Sequence, residues 1–293
     1  MKKLKISDVV QATSAGNIAF SAEKVRAQLL GGLMDPIIGF DHFKLTKDVF
    51  GAHPHAGMSA ISYLFEDSVP YHNLDSIGTD IVIAPGDLLW TWAGRGIVHT
   101  EFPVPEGGEV HGLQLFVNIK AAKKQLPPSS THIANAVIPE IKSEGLRVRV
   151  VSGTCGNVSN PVHAPEEFTF LHIFLSAGRS FEHDLPADWN ATAYVVNGGL
   201  ELKAGSETAL LERSSVISLG QSDQQERLAF TATVDSQFIL LSGQPLNEEI
   251  VAHGSLTMSS NEELSKALND FNEGRMGFIK IENGERSVIL PVT

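Results

Sequence analysis

The chain has 293 residues, enough for one large domain or two of ordinary size, each able to bury a proper core. Its 22 basic against 34 acidic side chains leave a formal net charge of −12, which excludes charge-driven binding to phosphate backbones or anionic membranes. A single cysteine, Cys155, rules out an intramolecular disulfide, and mixed sequence after Met1-Lys2-Lys3-Leu4-Lys5, with no apolar run of ~18 residues anywhere, sets the expectation of a soluble, cytoplasmic protein.

Residues 1–50 read as short strands broken by Gly16-Asn17, Gly31-Gly32, Asp35-Pro36 and Gly39. His42 sits among Phe40, Asp41 and Phe43 and reads as a histidine packed in a barrel wall. The stretch that follows organises the chain. It opens with His53-Pro54-His55-Ala56-Gly57 and closes with Gly94-Arg95-Gly96-Ile97-Val98-His99-Thr100-Glu101. Alternate side chains of a strand share a face, so His53 and His55 point together, as do His99 and Glu101. Two such strands facing each other inside a barrel place three imidazoles and one carboxylate around one point. A nitrogen-rich set with one oxygen suits iron, zinc, copper, nickel, manganese or cobalt better than calcium or magnesium.

Between the two motifs, Ser59–Phe65 and Ile81-Val82-Ile83 read as strands, and Pro85-Gly86 fits the centre of a type II turn. Trp90 and Trp92 share one strand face, as the lining of an aromatic pocket or as core; Trp92 is taken as a pocket candidate. Arg95, between two glycines, is either a substrate-holding cation or a solvated turn residue. His72 reads as an exposed loop histidine, and Gln114 as a polar group in the apolar strand starting at His111, in need of backbone, water or substrate as partner.

Composition changes between Lys120 and Pro165, which divides the chain into residues 1–125 as a metal-binding barrel, 126–165 as linker and shared strands, and 166–293 as a second barrel with a terminal helix. Tyr194–Leu202 repeats the strand-then-turn layout of Tyr63–Asp67, and Phe238–Pro245 that of the strand from His111, which a duplicated all-β unit explains. Counting from the two tyrosines puts Asp184 and Pro186 where His53 and His55 stand, with His183 one register off, so the second half is expected to be metal-free. Cys155 has no basic neighbour to activate it. Ser260-Asn261-Glu262-Glu263 fits a capping box, Leu264, Ala267, Leu268 and Phe271 mark one apolar stripe, Glu262 and Lys266 stand four apart, and Gly274 ends the helix.

Taken together, His53-Pro54-His55-Ala56-Gly57, Pro85-Gly86-Asp87-Leu88, Ala93 through Glu101, His111-Gly112-Leu113-Gln114-Leu115, Phe181-Glu182-His183, Ser242 through Leu246 and Asn272 through Gly277 resemble the pirin family of the cupin superfamily. The resemblance implies an all-β bicupin, two tandem double-stranded β-helix barrels with a short C-terminal helix. It also implies one mononuclear metal, usually Fe(II), held by His53, His55, His99 and Glu101. Pirins are similar to quercetin dioxygenases, so the implied activity is O2-dependent cleavage of a flavonol or related enolic aromatic; Glu101 would serve as base, and Gln114, Trp92 and Arg95 are the pocket candidates that the residues themselves offer. Some members act instead as transcriptional co-regulators, which implies a protein partner. One departure stands out: many relatives carry an acidic residue four positions after the second histidine, where this chain has Ser59.

Overall fold

Runs of β-branched and aromatic residues punctuated by glycine give a chain that is mostly strand. The computed structural model describes residues 2–163, 165–282 and 285–291. Among them the one α-helix is Asn261–Asn272, and no helix is long and apolar enough to cross a membrane. The chain forms two compact units. One contains Ser14–Ala22, Phe40–Asn135 and the residues from Leu246 onward; the other contains the residues up to Thr13, Glu23–Gly39 and Ala136–Pro245.

Each unit has the two-sheet build of a double-stranded β-helix. The seven-stranded sheet that carries most of the first unit runs in the order Ser129–Ile133, Leu88–Trp92, Met58–Leu64, Val110–Asn118, Ile37–Leu45, Phe20–Arg26, Thr13–Asn17. A four-stranded sheet runs His53–His55, Ile97–Pro103, Tyr71–Asp75, Asp80–Ile83. Phe43, Leu45, Leu64, Leu89 and Val110 of the larger sheet pack with Tyr71 and Ile83 of the smaller one, so the sheets close over a shared interior. The expected turn between strands is present: Gly86 has φ +85°, and the Asp87 N–H donates to the Ala84 carbonyl at 3.0 Å.

In the second unit the four-stranded sheet Ser180–Leu185, Glu226–Ala232, Gly199–Ala204, Glu207–Glu212 closes on a larger sheet, and the interior is apolar. Val148, Leu171, Ile173, Phe181, Leu200, Phe230, Phe238 and Leu240 fill it. The register counted from the tyrosines is off by one here. His183 lies on the inward face with Phe181 and Leu185, whereas Asp184 points to solvent and accepts from Arg227 at 3.0 Å. Cys155 is buried, and burial pushes its thiol up, as an unactivated cysteine requires.

The division differs at both ends from the one drawn from composition. Lys5–Ile6 and Val10–Gln11 pair with Ser215–Gly220 in the second unit. Ser129–Ile133, read as part of a stretch of linker and shared strands, pairs along Leu88–Trp92 and completes the larger sheet of the first. The terminal helix also belongs to the first unit: Leu264 and Ala267 bury against Ala56, Val98, Leu256, Met258 and Met276. Each fully buried leucine or methionine in that cluster is worth roughly 1.5–3 kcal/mol, which decides where the helix docks. Its start is the expected N-cap, with Ser260 accepting from the Glu263 N–H at 3.2 Å, but Glu263 reaches one residue beyond the capping-box position and accepts from the Ser259 N–H at 3.0 Å. Lys266 pairs at 2.6 Å with the buried Asp270, which Arg275 also meets at 2.7 Å, and not with the expected partner Glu262.

This docking fixes the backbone beside His55. Gly57 has φ +69°, and a Cβ there would collide with the Thr257 carbonyl oxygen. Gly57→Ala is therefore expected to lower unfolding stability by about 2 kcal/mol or more, read as a lower urea midpoint. An unchanged midpoint would show that the Thr257 segment does not press on this turn.

Candidate metal centre

His53–His55 is a three-residue edge strand whose middle residue, Pro54, cannot donate to a ladder; its carbonyl accepts instead from the Ser255 hydroxyl. The two histidine motifs lie side by side in one sheet, not opposite each other across the barrel as the sequence reading had them. His99 pairs directly with His53, and Ile97 with His55, in antiparallel register. Directly paired side chains project from the same face, so this single ladder gathers His53, His55 and His99. Ring centroids are 4.6 Å apart for His53 and His99, 4.8 Å for His55 and His99, and 5.0 Å for His53 and His55. One nitrogen from each ring lies within 4.8 Å of the others, and Nε2 of His99 and of His53 are 3.2 Å apart.

The outer nitrogens of two rings are spoken for. Nδ1 of His53 meets the Gly51 carbonyl at 3.0 Å, and Nδ1 of His99 meets Oδ1 of Asn73 at 3.2 Å. Each oxygen accepts, so each Nδ1 carries the proton and each Nε2 keeps its lone pair for the centre, the usual support of a metal-bound imidazole. His55 is 2 % exposed, stacks on Phe116 at 6.1 Å, and neither of its ring nitrogens has a hydrogen-bond partner among the described residues. An unpaired buried nitrogen costs about 1–3 kcal/mol, which a cation at the centre removes. Burial pushes the pKa of all three down, most strongly for His55 and His99, where charge on neighbouring imidazoles adds to the effect. The rings are thus neutral at physiological pH, the form that ligates metal. The three histidines can hold a metal ion, and the donor set fits a first-row transition ion.

Glu101, the fourth ligand expected from the sequence, is not among the groups whose donor atoms come within 4.8 Å of one another; paired with Asn73 two positions beyond His99, it lies on the wall of a cavity of about 110 Å³ that His53, His55, Tyr71 and Gln114 also line. Burial pushes its carboxyl up to about 7, partly offset by a 2.6 Å hydrogen bond from the Ser62 hydroxyl. The same hydroxyl is 3.0 Å from Oε1 of Gln114, so it donates to Glu101 when that group is ionised and to Gln114 when Glu101 is protonated. Gln114, a pocket candidate from the sequence, lines this cavity.

Trp92 and Arg95 do not line it. Ser62 pairs with Leu89 and Gln114, and the cavity lies on that face of the larger sheet; Trp90 pairs with Ile61 and Trp92 with Ser59 on the other. Both indoles are buried there, with Trp90 Nε1 donating to Ser59 at 2.9 Å. Ser59 therefore replaces an acidic residue on the side away from the cavity. Arg95 is exposed, and its backbone N–H donates to the Leu126 carbonyl at 2.9 Å. His72 sits in the strand Tyr71–Asp75, not a loop, and meets Asp80 at 2.6 Å. His42 packs in the wall as expected, with Nε2 2.8 Å from Nε2 of His111. Sequence reasoning missed Ser62, Asn73, Tyr71, Asp41, Phe50 and Phe116. Ser62 and Phe116 were open to period-two reading against Glu101 and Gln114; the others needed the strand pairing.

A double-stranded β-helix with inward imidazoles on one sheet defines a cupin barrel, and two in tandem a bicupin. The Pirin family model matches residues 23–117 and the Pirin C-terminal cupin domain model residues 170–277. Pirin of Rattus norvegicus is 33% identical over 247 residues and pirin of Homo sapiens 32% over 246, in each case 84% of this chain and 84% of the relative. The chain belongs to the pirin family. Quercetin 2,3-dioxygenase from Acinetobacter baumannii has a similar structure, with a TM-score of 0.82, 26% identity, and coverage of 94% of this chain and 98% of that one.

The electrostatics give a pH dependence. Neutral imidazoles release nothing on binding, whereas a Glu101 carboxyl with a pKa of about 7 is protonated below that pH and must shed its proton to coordinate. Zinc affinity of metal-free protein is expected to be flat above about pH 7 and to fall by about tenfold per unit below it, measured by competition with a chelator. A flat profile through this range would remove Glu101 from the ligand set.

Proposed function

We propose that this chain is a mononuclear-metal dioxygenase, Fe(II) being the preferred ion, that opens a flavonol or related enolic aromatic with O2. The observation that carries the reading is a cavity lined by a carboxyl of pKa about 7 and by two imidazoles of the three-histidine cluster. The likeness to quercetin 2,3-dioxygenase supports it. His53, His55 and His99 would hold the ion, with Glu101 completing the set; zinc, copper, nickel, manganese or cobalt compete for the same donors. The bound metal supplies Lewis acidity toward the substrate hydroxyl and a one-electron partner for dioxygen.

The protein's own groups do the rest. A carboxyl that titrates near neutrality accepts a proton from an enolic hydroxyl without holding it too tightly. Ser62 follows the change, turning its donor from Gln114 to Glu101 or back, so the charge is met by a hydrogen bond in either state. Asn73 and Gly51 hold two imidazoles in one tautomer. Phe20, Phe43, Leu45 and Phe116 make the remaining wall apolar, which excludes water and favours a flat ring.

A second reading rests on the size of the chamber. At about 110 Å³ it is below the usual range of ligand pockets, and a net charge of −12 suits a basic protein partner. On that reading the chain is a metal-responsive regulatory protein that docks on a transcription factor or metabolic enzyme. Both readings fit a reducing, cytoplasmic setting that keeps iron as Fe(II).

One substitution separates them. With anaerobically iron-loaded protein given quercetin and then oxygen, Glu101→Gln is expected to lower the rate of loss of flavonol absorbance by about 100-fold or more, with the folded state retained and Arg95→Ala unaffected. Equal rates for Glu101→Gln and the parent would remove the base from the mechanism. A parent protein inert with every first-row metal would leave the regulatory reading.

A further inference from the structure

Phe50 stands at the mouth of the metal cavity, lines it, and is 54% exposed. Its ring meets Phe20 edge to face at 5.0 Å and His53 at 6.3 Å. The segment that carries it, between Leu45 and His53, is tied down elsewhere. Asp48 accepts from the Gly51 N–H at 2.8 Å and pairs with Arg286 at 2.8 Å, and Arg286 in turn lies 3.7 Å over the Phe102 ring. Because Asp48 anchors the loop, removing the Phe50 ring does not unseat it. A large aromatic left half in water at a binding cavity forgoes hydrophobic stabilisation that a covering ligand supplies.

The chamber sets what that ligand is. A space of about 110 Å³ bounded by His53, His55, Glu101, Gln114 and Tyr71 takes one oxygenated ring, not three. We infer that the site binds its substrate in two parts, with an enolic ring inside at the imidazoles and a flat apolar group outside against Phe50, which makes Phe50 the residue that selects multi-ring over single-ring enols. This rests on the oxygenase reading for the inner ring but concerns a different contact. Aromatic contact of this kind contributes through face or edge packing and area covered, so it discriminates ligands by whether they extend past the mouth.

The test is equilibrium binding to zinc-loaded protein under nitrogen, where no turnover occurs. Quercetin is compared with 3-hydroxy-4-pyranone, which has the same enol-ketone pair on a single ring. Phe50→Ala is expected to weaken quercetin about tenfold and leave the pyranone and the zinc content unchanged, and Phe50→Trp to restore or tighten quercetin. Equal weakening of both ligands, no weakening of either, or loss of zinc from Phe50→Ala overturns the proposal, the last because Phe50 would then be positioning His53. Failure of the parent protein to bind either compound counts against the oxygenase reading itself, and so is distinct from a failure confined to quercetin in the variant.

Discussion

The pairing of His99 with His53 across one antiparallel ladder is the constraint on which the site depends. It brings two imidazole nitrogens to 3.2 Å, and the pleat adds His55 to the same face. Two buried imidazoles and a half-buried third, held neutral by burial and by their mutual repulsion when charged, one without a described partner for either nitrogen, are a poor way to fill a core. The second unit shows the same architecture with a single inward imidazole, His183, in an interior otherwise closed by Leu171, Phe181, Phe230 and Phe238. A cation that takes the three lone pairs would offset the cost in the first unit.

The surroundings follow from holding that ladder in place. Its outer strand is three residues long and contains a proline, so it cannot be stable by its own hydrogen bonds. The C-terminal segment supplies the missing support. Ser255 bonds to the Pro54 carbonyl, Thr257 bonds to the Ala56 carbonyl at 2.8 Å, and the helix packs behind Ala56 and Val98. A stretch some two hundred residues away in sequence thereby sets the backbone of two metal-site histidines. On the other side, Asp48 joins the loop before His53 to Arg286. The terminal region is thus part of the site's scaffold.

Much of this was open to reading from the chain alone, because strand geometry is simple. The i,i+2 spacing of His53 with His55 and of His99 with Glu101 gave the shared faces, and the family likeness of those motifs gave the barrel. What the spacing cannot give is which strands are neighbours. The same alternation that put Gln114 toward Glu101 sends Trp92 and Ser59 to the opposite face, and only the register of Ser62 with Gln114 and Leu89 reveals it. The helix shows the other kind of limit. Its cap and apolar stripe are local and were legible, while the unit it covers depends on contacts with Ala56 and Val98 far back in the chain. The inward turn of His183 likewise depends on the register of its own hairpin, which a count from distant tyrosines misses by one residue.

That one ion sits among three imidazoles of the first barrel is tested most directly by an anomalous difference map from crystals loaded with Fe(II) without air and recorded at the iron edge. A single strong peak per chain is expected, about 2.0–2.2 Å from Nε2 of His53 and His99 and from one ring nitrogen of His55, with Asn73 and Gly51 still holding the outer nitrogens. A peak elsewhere, or a map with no peak while the three rings keep their places, would contradict it.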